Sequence, residues 1–183
     1  MSEASHFFAA LVTSPAVFRK TLERARLQAV LDVEPAGDAV APSGPGATPA
    51  VPGPRWVAFA SPGENREALG KLTERLVEVF DEGGDWSLGF FMDQAKLTLR
   101  SEDLEPSVED RRTSARRHAW LLLFLGRTPD EALAALSTGG AFAFCEALEI
   151  SFLELVDQEM VPWEALSREF PDRYTVASWE LAD

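Results

Sequence analysis

Apolar residues along this chain fall into short runs separated by capping and turn residues, and the spacing within each run predicts an element. Ser14 and Pro15 open the first, because a serine hydroxyl can accept the unpaired amides of a helix start and proline fits the first turn. Phe18, Leu22, Ala25 and Ala29 then recur at helical spacing on one face. Phe7, Phe8, Leu11 and Val12 form a further apolar group, so residues 1–33 read as an N-terminal helical segment. A piece this short cannot bury a core alone. It packs on the rest of the chain or docks on something else.

Residues 34–54 break the pattern, holding six of the twelve prolines and four of the twelve glycines. Proline removes backbone donors and glycine adds chain entropy, so this stretch reads as a disordered linker or an exposed loop. Residues 55–183 form the main domain. Residues 56–60 are strand-like, and Ser61-Pro62-Gly63-Glu64 has the spacing of a capping box. The helix it predicts carries Leu69, Leu72, Leu76, Val77, Val79 and Phe80 and stops at Gly83-Gly84. Two short runs on either side of Asp93-Gln94 predict a hairpin, the second alternating Lys96 out, Leu97 in, Thr98 out, Leu99 in.

Charge then orders the next stretch, acidic residues at 102–110 and basic ones at 111–118, which favours a helix from near Ser107. Residues 119–125 lack β-branched side chains and read as its continuation, with a buried strand as the other possibility. Thr128-Pro129-Asp130-Glu131 repeats the capping pattern and opens a helix to Gly139-Gly140, and residues 142–149 look helical. Residues 150–156 could be a strand, Pro162 starts a short helix over 163–170, and residues 174–181 alternate as a last strand. The predicted fold class is α+β: a small mixed or antiparallel sheet interrupted by capped helices, with the N-terminal helical segment joined by the Pro/Gly-rich linker.

Composition adds a sign. The chain has 30 Asp and Glu against 17 Lys and Arg, a net charge of -13, while 46% hydrophobic residues are enough for a packed interior. Such a surface repels phosphate, which argues against nucleic acid and against an anionic membrane as partners. One cysteine, Cys145, cannot form an internal disulfide, and no apolar stretch approaches a membrane span, so the expected location is cytoplasmic. Three lysines among the 17 basic residues fit a GC-rich bacterial coding sequence.

Candidate chemistry is sparse. His6 and His118 offer no ligand pair for a metal, and Ser61, Ser137 and Cys145 are nucleophile candidates with only His118 as a base. No glycine-rich phosphate loop is present, so the sequence predicts no catalytic, cofactor-binding or metal site and no cofactor. Arg112 and Arg116 share a helix face and could grip an anion or simply lie in solvent.

The acidic excess concentrates in residues 146–183, where ten acids face two bases, Arg168 and Arg173. Phe152, Trp163, Phe170, Tyr174 and Trp179 are interleaved with them. Carboxylates steer a cationic protein and aromatic anchors hold it, which singles out Glu154, Asp157, Glu159, Trp163, Glu164, Tyr174, Trp179 and Glu180 as a partner-binding set. The alternative is that the aromatics face inward and the acids only solvate the surface. The expectation is a non-enzymatic module for a basic protein partner, with the general character of bacterial immunity proteins that neutralise toxins. A chaperone for a secreted effector, or an enzyme whose site is assembled only in the fold, are the alternatives.

Overall fold

The first described element is a β-strand. Residues 4–12, read from sequence as part of a helical segment, form β1 (Ala4–Val12). Phe7 and Ala9 point to one face and Phe8 and Ala10 to the other, and all four are buried. Burial on both faces replaces alternation with an unbroken apolar run, which hides the period of two. The fold is that of a computed structural model, which describes residues 4–33, 46, 53–104, 111–150 and 163–177. The linker reading of residues 34–54 lies almost wholly outside them.

After β1 come α1 (Pro15–Arg24), β2 (Ala29–Asp32) and β3 (Arg55–Ala60). The predicted cap of α1 is present: Val17 N donates to Ser14 Oγ at 3.3 Å. Phe18 and Leu22 are its buried residues, but Ala25 and Ala29 do not extend its face. Arg26 takes a left-handed φ of 58°, and Leu27 N donates back to Leu22 O at 2.9 Å, turning the chain into β2.

A second correction concerns the long helix expected after Ser61. Ser61 Oγ donates to Gln28 O at 2.9 Å and accepts from Asn65 Nδ2, so it ties loops together instead of capping. One 3-10 turn leads into a short α2 (Arg66–Leu72), and Thr73 is already extended at φ -113°, ψ 140°. Leu76, Val77, Val79 and Phe80 belong to β4 (Arg75–Glu82), where the β-branched Val77 and Val79 favour the extended backbone. Gly83 and Gly84, both at positive φ, make the turn into β5 (Asp85–Met92). The predicted hairpin to β6 (Ala95–Arg100) is present, with Asp93 and Gln94 at φ 49° and 66°.

The helical reading of residues 119–125 also holds, within α3 (Arg111–Leu125); its expected start near Ser107 is outside the described residues. Pro129 stands at the N-cap of α4 (Asp130–Ala147) without a side-chain cap, and Gly140 kinks the helix at φ 70°, ψ -156°. The strand suggested for 150–156 falls outside the described residues except at Ile150. Helix α5 (Trp163–Glu169) and strand β7 (Tyr174–Ala177) follow as expected.

Among the described residues, seven strands join one antiparallel sheet in the order β6-β5-β4-β1-β3-β2-β7. Thus β1 lies inside the sheet, between β4 and β3. Helices α3 and α4 cover one face through Leu121, Phe124, Leu136 and Phe144, packing on Val77, Val79, Leu88 and Phe90. On the other face α1 and α2 bury Phe18, Leu22 and Leu69 against Phe8, Leu31, Phe59 and Leu76. Among the described residues no helix is long and apolar enough to cross a membrane.

Candidate functional site

Strand β7 is fastened to β2 by a partly buried ion pair. Arg173 Nε donates to Asp32 Oδ1 at 3.2 Å and its Nη2 to Oδ2 at 3.0 Å, a two-pronged contact to a carboxylate whose side chain is fully buried. Val33 N donates to Arg173 O at 2.7 Å, continuing the β2–β7 ladder by one bond. The Arg173 guanidinium also lies 5.1 Å from the centre of the Tyr174 ring.

This fastening presents the turn between α5 and β7. Pro171 disfavours helical backbone at Phe170 and ends the helix there. Arg173 N and Tyr174 N both donate to Phe170 O, at 3.1 and 3.0 Å, which closes the turn. The Phe170 ring meets Tyr174 edge to face at 6.2 Å yet remains 42% exposed. Glu169 and Asp172 are exposed on either side of it. The result is a partly exposed aromatic side chain, with an exposed acidic residue before it and another after it in the chain, on a mount held from beneath.

Of the residues selected from sequence, Tyr174 is 2% exposed and lies beneath the turn, supporting Phe170. Trp163 and Glu164 are in α5, but their side chains are outside the described residues, as are Glu154, Asp157, Glu159, Trp179 and Glu180 altogether. Phe170 was the residue left out of the set. Its signal was Phe-Pro-Asp directly after a helical run, a turn that strands an aromatic at the surface.

A second polar cluster joins residues far apart in sequence. Glu78 Oε1 accepts from His6 Nε2 at 3.0 Å and from Arg66 Nε at 2.7 Å. Since an ionised carboxylate only accepts, His6 carries a proton on Nε2. Burial pushes the Glu78 carboxyl up, but the hydrogen bonds from His6 and Arg66 outweigh it and hold the group below its ordinary value. Gly89, opposite Glu78 on β5, makes room: a Cβ there would sit 3.4 Å from Glu78 Oε2 and 3.3 Å from Lys96 Cε.

The nucleophile candidates stand apart from one another. Ser137 Oγ donates to Leu133 O within α4, Ser61 Oγ is bonded to Gln28, and burial pushes the Cys145 thiol up to about 12. His118 Nδ1 lies 3.7 Å from Asp130 Oδ1. Arg112 and Arg116 are exposed on α3. Among the described residues no group of three or more metal-binding side chains comes together.

No family model, curated protein or solved structure matches the chain.

Proposed function

We propose that the protein is a non-enzymatic module that binds a basic protein through the acidic surface centred on Phe170. The observation that carries this reading is the half-exposed Phe170 ring, near exposed Glu169 and Asp172 in the chain, on a turn fastened by Arg173 to buried Asp32. Exposing an aromatic ring costs hydrophobic free energy, and holding it still removes the entropy that a partner would otherwise have to overcome. The charge excess of residues 146–183 draws in a cationic surface, and Phe170 then supplies the dry contact that slows release. Tyr174 acts from below as the platform.

The setting we infer is neutralisation of a basic bacterial toxin in the cytoplasm. A toxin that grips a polyanion offers the cationic surface that this face complements. Affinity capture from the native host with the wild-type protein and with Phe170→Ala tests the reading. The expected result is a basic protein retained by the wild type, with dissociation from the variant about tenfold or more faster. Equal retention and equal release would overturn it.

A further inference from the structure

The chain has only three lysines, and two of them line a single cavity. It lies between α2 and the β5–β6 hairpin, about 390 Å³, walled by Arg66, Glu67, Gly70, Lys71, Phe91, Gln94 and Lys96. Phe91 lies beside α2 at Gly70, where a Cβ would be 3.4 Å from the ring, about van der Waals contact. The Lys96 ammonium stands 4.8 Å from the Phe91 ring centre, and among the described residues no carboxylate lies within ion-pair distance of it. Lys71 pairs with Glu67 at 2.7 Å, but both side chains are more than two thirds exposed, so an incoming anion displaces that pair at little cost.

Charge selects the ligand. Arg66, Lys71 and Lys96 face two carboxylates, Glu67 in the wall and Glu78 behind Arg66, which leaves one net positive charge in a molecule of net -13. One surplus positive charge matches a monoanion, whereas a dianion would remain uncompensated and be repelled by the rest of the surface. Phe91 supplies an apolar wall, and the volume falls at the lower end for small-ligand sites.

We propose that this cavity binds a small organic monocarboxylate with an apolar body of about one ring, its carboxylate between Lys96 and Lys71 and its body against Phe91. The site is separate from the Phe170 surface and does not depend on it.

Benzoate is the probe, titrated into the full chain and followed by backbone amide shifts, with benzyl alcohol and inorganic phosphate as controls. Saturable benzoate shifts in residues 66–71 and 91–96 are expected, with a Kd near or below about 1 mM and the controls at least about tenfold weaker. Lys96→Met keeps the methylene stem and is exposed, so the fold survives, and benzoate binding should weaken about fivefold or more. Lys71→Met should act in the same direction. Absence of saturable benzoate shifts at these residues, phosphate binding as tightly as benzoate, or wild-type affinity in both lysine variants would overturn the proposal.

Discussion

Replacing Arg173 by methionine removes the guanidinium but keeps most of the aliphatic stem, so it tests what fastens the Phe170 turn. Asp32 has no exposed side-chain surface and takes two hydrogen bonds from Arg173, at 3.2 and 3.0 Å. Each charge-assisted bond contributes about 1.5–3 kcal/mol, and stranding one member of a buried pair costs about 3–5 kcal/mol in all. Arg173 itself is 30% exposed, so water can enter and repay part of the loss, which places the expected cost near the lower bound, about 3 kcal/mol. For a chain of this length that corresponds to a fall in Tm of about 6–12 °C. Urea unfolding followed by tryptophan fluorescence measures it directly. Arg173→Met combined with Asp32→Leu should recover much of the stability, because the buried charge is then gone. A single variant within about 1 kcal/mol of wild type would refute the reasoning, since the two Arg173 bonds to Asp32 would then contribute little to holding the turn.

Three further outcomes follow from the same geometry. Because the Glu78 carboxyl is held below its ordinary value in the folded state, its contribution is complete at neutral pH and is lost as pH falls through and below the usual glutamate range. The stability gap between wild type and Glu78→Gln should thus be largest near neutrality and narrow as pH falls through and below the usual glutamate range in urea titrations; a gap independent of pH would contradict it. Gly140→Ala should cost about 2 kcal/mol or more in urea unfolding, from a φ of 70° together with a new Cβ 3.2 Å from Trp86, and a neutral variant would contradict the kink. Cys145, fully buried with its thiol pushed up to about 12, should react with a thiol reagent only as urea opens the fold, so prompt stoichiometric labelling in buffer would contradict its burial.

The sequence revealed local grammar better than partnership between distant segments. Ser14-Pro15 began a helix and Asp93-Gln94 made a hairpin, since caps and tight turns depend on a few adjacent residues. Strands β1 and β4 were hidden because helices cover both faces of the sheet: Phe7 and Phe8 are both buried, as are Leu76 and Val77, and alternation disappears. Leu69, Leu72 and Leu76 mimicked a continuing helix although Thr73 turns extended after Leu72. For Tyr174 the sequence left a surface anchor and an inward-facing ring both open, and its register opposite Asp32, a long-range pairing, decides for the buried position. The Glu78 cluster joins side chains 72 and 12 residues apart, so nothing in local spacing could announce it.

The most direct test of the proposed function is the association rate with the captured partner, measured from low to physiological ionic strength for the wild type and for Glu169→Lys with Asp172→Lys. Steering by this face predicts a wild-type rate that falls about tenfold or more across that range, with dissociation changing much less and the charge-reversed variant starting slower and responding less to salt. Identical rates for both proteins at every salt concentration would contradict the account.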